Sequence, residues 1–70
     1  YALYAEQNDQ EVRKNILILE DMELWTETAD LSMEIAEYYK SKADFEKAAY
    51  YFEHSHFAKD KIIKISEALL

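Results

Sequence analysis

The sequence contains no glycine, no proline and no cysteine. All-β folds need turn residues every ten or so positions, and glycine and proline are the strongest of them. A chain without either residue therefore favours helices joined by short turns. The absence of cysteine excludes a disulfide framework and thiol chemistry. No apolar run approaches the roughly 18 residues of a membrane span, and no segment resembles a signal peptide.

What is present is a short and largely apolar chain. Its 70 residues amount to one small domain, 1–70, near the lower limit for a self-sufficient core. Hydrophobic residues make up 50% of the chain, which is too apolar for intrinsic disorder. Because the chain does not begin with Met, we expect it to be the C-terminal fragment of a larger cytoplasmic protein.

Negative charge is concentrated in the first part of the chain. The net charge is −7. Residues 1–39 hold ten acidic and two basic side chains, whereas residues 40–70 hold five acidic side chains and six lysines. A surface this acidic repels phosphate backbones, so we expect no nucleic-acid binding by this segment.

The apolar periodicity predicts an all-α fold of about three helices preceded by a helix remnant. Residues 1–7 fit the tail of a helix, and Asn8 with Glu11 has the spacing of a capping box for the next one. After a short break, another helix is expected over about residues 24–42. Asp44 then suits the N-cap of a third helix of about 25 residues.

The second of these helices is predicted to pack on two sides. One stripe carries large apolar residues, and its neighbour carries small residues between aromatic ends, which lets another helix approach closely. The stripes are Leu24, Thr28, Leu31, Ile35 and Tyr38, and Trp25, Ala29, Ser32, Ala36 and Tyr39. On the third helix, the expected buried residues are Phe45, Ala48, Ala49, Phe52, Ile62, Ile63, Ile65 and Leu69.

The stretch from Ser32 to Ser55 resembles a tetratricopeptide (TPR) repeat. The matching residues are Ile35, Ala36 and Tyr39 in the first helix, Ala43-Asp44-Phe45 in the turn, and Ala48 and Phe52 in the second helix. The departures are Ser32, Ala43 and Ser55. The resemblance implies antiparallel helical hairpins stacked into a superhelix. It also implies that Tyr39 and Phe52 pack across the hairpin, and that Tyr38 and Tyr51 meet neighbouring layers.

A longer stretch, about residues 14–63, resembles the last repeats of bacterial peptide-receptor regulators, the Rap aspartate phosphatases and their PlcR-like and NprR-like transcription-factor relatives. The run ILILEDMELWTETADLSMEIAEYYKSKADFEKAAYYF carries the resemblance. It implies that the parent protein senses a short quorum-sensing peptide on the concave side of its repeats. The phosphatase or DNA-binding part would lie N-terminal, so no catalytic residue is carried over, and we expect neither enzyme activity nor a cofactor.

Acidic residues at 4-3-4-3 spacing run along the second helix: Glu23, Glu27, Asp30, Glu34 and Glu37. One interpretation is a solvated face. The other is a lining that recruits a cationic peptide through charge-assisted hydrogen bonds, since the first helix of a TPR repeat faces the concave groove. On this alignment the candidate peptide-binding residues are Asp30, Met33, Glu34, Glu37, Lys40 and Ser41.

An alternative function is a structural C-terminal cap or homodimerisation element with no ligand of its own. Its candidate residues are Ile62, Ile63, Ile65 and Leu69. Catalytic and metal sites are not expected. His54 and His56 point about 200° apart on a helix and cannot chelate one metal ion. The sequence shows no Ser-His-Asp, glycine-rich or P-loop pattern.

Overall fold

A computed structural model describes residues 1–69, and these residues form four helices joined by very short connections. The helices are α1 (Ala2–Gln7), α2 (Asp9–Asp21), α3 (Trp25–Ser41) and α4 (Phe45–Leu69). The predicted all-α fold is confirmed. The helix remnant at the start and the bounds of α3 agree with the sequence interpretation to within one residue, and the predicted break between α2 and α3 is present.

Two turns of the same geometry join α2 to α3 and α3 to α4. Each contains a residue with positive φ, 58° at Glu23 and 60° at Ala43. In the second turn the Asp44 amide donates to the Tyr39 carbonyl at 2.9 Å, and the first turn makes the equivalent bond. This is the Schellman arrangement, in which glycine is the usual residue at positive φ. Here the chain forms it twice without glycine, at a conformational cost of about 1 kcal/mol per turn.

Replacing Ala43 by glycine should therefore stabilise the chain. Removing the strain outweighs the extra entropy of glycine in the unfolded state, and we expect the free energy of unfolding to rise by about 0.5–1 kcal/mol. Urea denaturation followed by circular dichroism measures this. The matched control is Ala49→Gly inside α4, which should lower the free energy of unfolding by about 1 kcal/mol. Equal losses in both variants would contradict the turn geometry.

The closest packing lies between α3 and α4. Ala29 and Ala36 of α3 are buried, as the predicted small-residue stripe requires. On α4 the fully or almost fully buried residues are Ala48, Tyr51, Ser55 and Ala58. The Ser55 hydroxyl donates to the Ala29 carbonyl at 3.0 Å. A side chain can reach the backbone of a neighbouring helix in this way only when small residues bring the two axes close together.

Of the eight residues predicted to be buried on α4, only Ala48 is buried. Phe52 and Ile62 are half-buried, and the other five are exposed. Phe45 is 65% exposed and Ala49 is exposed, because the side that faces α3 runs through Tyr51 instead. The exposed residues at the other end are Ile63, Ile65 and Leu69. They are uncovered because α4 is longer than α3, so the last two turns of α4 extend past the start of its antiparallel partner.

The aromatic pair that closes the hairpin also differs from the prediction. Tyr39 stacks on Tyr51, with ring centroids 5.9 Å apart and planes inclined by 16°. Phe52 lies at the edge of the core. The predicted partner of Tyr39 was Phe52, and the observed partner is the adjacent Tyr51, because Tyr51 lies on the side of α4 that faces α3. Tyr38 meets a neighbouring layer as expected, because its hydroxyl donates to Glu6 of α1.

The helix ends confirm one predicted cap and refute the other. Asn8 forms no side-chain cap on α2. Its side-chain amide donates instead to the Tyr4 carbonyl at 3.1 Å and so terminates α1. Glu11 accepts the Tyr4 hydroxyl at 3.0 Å rather than completing a capping box. The predicted cap of α4 is present, because Asp44 accepts the Lys47 amide at 3.3 Å.

Candidate functional site

The outward face of α3 is acidic. Glu27, Asp30, Glu34 and Glu37 are all exposed, while the residues between them pack against α2 and α4. Glu23 lies in the turn before α3 and not on the helix. These four carboxylates, here called the acidic ridge, span about 15 Å along the helix axis. The spacing seen in the sequence thus produces a continuous row of solvent-facing negative charge.

The other predicted peptide-binding residues flank the acidic ridge on the same side of α3. Met33 is half-buried, whereas Lys40 and Ser41 are exposed at the C-terminal end of the helix. The Ser41 hydroxyl donates to the Tyr38 carbonyl at 2.6 Å, so it can serve a ligand only as an acceptor. All six predicted residues therefore share one outward surface that a bound peptide could follow.

A half-buried carboxylate fixes α2 against the hairpin that carries the acidic ridge. Asp9 Oδ1 accepts the Tyr51 hydroxyl at 2.8 Å and the Tyr39 hydroxyl at 3.3 Å. Asp9 Oδ2 lies 2.7 Å from Arg13 Nε, and the Arg13 guanidinium lies 4.1 Å from the centroid of the Tyr50 ring. We call these five residues the Asp9 cluster. One side chain of α2 thereby contacts both helices of the hairpin, in a network of hydrogen-bonded and charged groups.

The two central tyrosines of the Asp9 cluster are held in their protonated form. Burial, followed by the negative charge of Asp9, raises the pKa of Tyr39 to about 12. Burial and the hydrogen bond to Asp9 also raise the pKa of Tyr51. A phenolate in either position would lose solvation and face a neighbouring carboxylate. Both hydroxyls therefore act as hydrogen-bond donors at neutral pH and hold the helices in position.

The Asp9 cluster also reaches α1, and the sequence interpretation missed it. The Tyr39 hydroxyl donates to the Ala5 carbonyl at 3.1 Å as well as to Asp9. In the sequence, Asp9 directly follows Asn8, the residue from which the second helix was predicted to start. The available signal was the spacing of Asp9 and Arg13 by four residues, which forms an ion pair on one helix face. Nothing in that spacing indicates that tyrosines from α3 and α4 complete the group.

A second contact joins the end of α2 to α4. His54 Nδ1 lies 2.9 Å from Glu20 Oε2, and the His54 ring centroid is 4.5 Å from that of Tyr50. Together with Glu53 and Phe57, His54 and Glu20 line an open concavity of about 350 Å³. Since His54 and Glu20 are engaged with each other, this group describes a contact between α2 and α4.

Two further kinds of feature concern metal ligands and membrane-spanning helices. Residues 1–69 contain no group of three or more His, Asp or Glu side chains placed to hold a metal ion. Over the same residues, no helix has the length and apolarity required to cross a bilayer.

Comparison with known proteins gives one informative relative. No protein-family model matches the chain, and no solved structure matches it significantly. The regulatory protein RapD of Bacillus subtilis (strain 168) is 42% identical over 52 residues, which is 71% of this chain and 15% of RapD. The chain is similar to one part of a regulatory protein. The resemblance to Rap regulators deduced from the sequence is confirmed to that extent, and the chain spans only about 15% of the RapD length.

Proposed function

We propose that the chain is a non-catalytic TPR-like module of a peptide-sensing regulator, and that its acidic ridge binds a short cationic peptide or a cationic segment of a partner protein. The observation that supports this most strongly is the ridge itself. Four carboxylates lie exposed along one side of α3, while the other sides of this helix pack against its neighbours. Because packing holds α3 in place, the four carboxylates keep their spacing before a ligand binds, and this preorganisation favours binding.

The relationship to RapD supports the wider context of the proposal. RapD is a regulatory protein, and 42% identity over 52 residues covers most of this chain. We propose that the parent protein is a bacterial, cytoplasmic regulator, either a response-regulator phosphatase or a transcription regulator. Its effector part would lie outside this chain, which contributes binding and no catalytic residue. The chain would then occupy the C-terminal repeats of that regulator.

The chemistry of the acidic ridge selects a cationic ligand. An arginine, a lysine or a free amino terminus would form charge-assisted hydrogen bonds with these carboxylates. Like charges one helical turn apart cost a few tenths of a kcal/mol per pair, and a bound cation would relieve this repulsion. Half-buried Met33 adds an adaptable apolar contact beside the ridge. Affinity should fall as ionic strength rises, because the contacts are solvent-exposed.

Charge reversal on the acidic ridge tests the proposal. The double variant Glu34→Lys with Glu37→Lys should weaken binding of a labelled cationic peptide by about tenfold or more at low ionic strength, since two attractive contacts become repulsive. Fluorescence anisotropy measures the affinity. The matched control is Glu46→Lys with Glu67→Lys, which changes the net charge equally at exposed positions of α4.

The control separates the acidic ridge from the charge of the whole chain. If both double variants weaken binding equally, net charge and not the ridge attracts the peptide, and the proposed site is wrong. If the unaltered chain binds no cationic peptide at low ionic strength, the alternative function, a structural cap or dimerisation element without a ligand, is favoured instead.

A further inference from the structure

An apolar stripe on α4 continues beyond the start of α3 into the last two turns of the helix. Ala58, Ile62, Ile65 and Leu69 follow one side of α4 at 4-3-4 spacing and continue the side that is buried against α3. Their exposure rises along the helix: Ala58 is buried and Ile62 half-buried, whereas Ile65 is 48% and Leu69 83% exposed. The stripe therefore begins in the core and ends in solvent.

The four isoleucine and leucine residues predicted from the sequence do not lie on one surface. Ile63 is 56% exposed, but it follows Ile62 directly and so points about 100° away from it around the helix. Ile62, Ile65 and Leu69 form the apolar stripe, and Ile63 belongs to another side of α4. This difference provides a matched pair of exposed isoleucines on the same helix, one on the stripe and one off it.

The apolar stripe forms one wall of an open groove of about 280 Å³. The other wall is built by the turn between α2 and α3 and by the first turn of α3, where Leu24 and Trp25 supply apolar surface. Glu23 and Glu27 also line the groove. An apolar floor with carboxylates at its rim is suited to a helix that is apolar on one side and basic beside it.

The end of α4 is itself such a helix. Beside its apolar stripe it carries Lys61 and Lys64, which are three residues apart and so lie on one side. Lys64 pairs with exposed Asp60, at 3.0 Å, a contact of little energetic value. The Lys61 ammonium lies 5.3 Å from the Phe57 ring and 5.9 Å from the Trp25 ring, at the edge of the groove. The groove and a helix end with the matching apolar and basic side chains thus occur on the same surface of the chain.

We propose that a second copy of this chain docks in the groove, with the α4 ends of the two copies packed antiparallel about a two-fold axis. Each copy would lay Ile65 and Leu69 into the groove of the other and direct its lysines to the carboxylates of Glu23 and Glu27. The same surface supplies the groove and the helix end that binds in the groove of the other copy. Such a surface is self-complementary, as a symmetric dimer requires. The surface is small, so the dimer is weak. It depends on the end of α4, and Glu27 is the one member of the acidic ridge that takes part in it.

Sedimentation velocity from micromolar to near-millimolar concentration tests this inference. The unaltered chain should shift from monomer towards dimer over that range, and Ile65→Lys should remain monomeric throughout. Ile63→Lys, an equally drastic change at a comparably exposed position, should dimerise like the unaltered chain. Because neither side chain is in the core, both variants should keep the helical circular dichroism of the unaltered chain. A chain that stays monomeric throughout, or equal disruption by the two variants, would overturn the proposal.

A charge swap tests the antiparallel orientation. Reversing Lys61 and Lys64 to glutamate should weaken dimerisation several-fold, because each copy then opposes like charges on its partner. Adding Glu23→Lys and Glu27→Lys to the same chain should restore dimerisation, since both copies carry the exchanged pair. Failure of the combined variant to recover would contradict this orientation. Retention of peptide binding by Ile65→Lys is the expected result that separates this interface from the acidic ridge.

Discussion

Replacing Tyr51 by alanine is expected to lower the free energy of unfolding by about 4 kcal/mol, the largest effect of any single substitution considered. Tyr51 is completely buried, stacks on Tyr39 and donates its hydroxyl to Asp9. A domain of this size holds only about 5 kcal/mol of net stability, so the variant should be largely unfolded at room temperature. Circular dichroism with urea titration measures both the loss of helix and the shift in stability.

Two neighbouring aromatic residues serve as controls for Tyr51. Phe45→Ala removes a ring that is 65% exposed and should cost less than about 1 kcal/mol. Phe52→Ala should be intermediate, because Phe52 lies at the edge of the core. A larger loss for Phe52→Ala than for Tyr51→Ala would support the pairing of Tyr39 with Phe52 that the TPR resemblance implied, and would contradict the stacking described above.

Replacing Asp9 by alanine should lower the free energy of unfolding by about 2–4 kcal/mol, although Asp9 is a polar residue in the first turn of a helix. The Tyr51 hydroxyl would lose its acceptor, and Arg13 would lose its carboxylate partner. Tyr39 would keep its second acceptor, the Ala5 carbonyl. Urea denaturation of the variant gives the loss directly.

The matched control for Asp9 is Asp21→Ala at the opposite end of α2. Asp21 is exposed and its charge is unfavourable at a helix C-terminus, so this change should be neutral or slightly stabilising. A double-mutant cycle between Asp9→Ala and Tyr51→Phe should show a coupling energy of about 1–2 kcal/mol. Independent effects of the two substitutions would mean that the Asp9 cluster does not act as a unit.

The helices could be predicted because the evidence for them is local. Apolar spacing, the suitability of Asp44 as a cap and the lack of glycine and proline all act within a few residues of one another. The buried side of α4 could not be predicted in the same way. Tyr51 and Phe52 are adjacent, aromatic and of similar size, and both fit the spacing of an amphipathic helix. Only the position of α3 decides which of them enters the core.

In the candidate site, too, the features that depend on local spacing could be predicted, and those that depend on the fold could not. The acidic ridge was predictable, since its carboxylates lie on one helix and their spacing determines a common side. The Asp9 cluster was not, because Asp9 is separated from Tyr39 by 30 residues and from Tyr51 by 42. The end of α4 was predicted as a candidate dimerisation surface, but the sequence analysis did not separate Ile63 from the three residues that share one side. The exposed surface depends on the difference in length between α3 and α4, and on the angular separation of Ile63 from the apolar stripe.

The measurement that tests the proposed function most directly is an amide-resolved NMR titration of the isotopically labelled chain with a pool of short cationic peptides, at low and moderate salt. If the acidic ridge binds a cationic peptide, we expect saturable shifts that are weaker at the higher salt concentration and are concentrated on Asp30, Glu34, Glu37 and Lys40. A well-dispersed spectrum that no cationic peptide perturbs would contradict the proposed function and would reduce the acidic ridge to a solvated helix face.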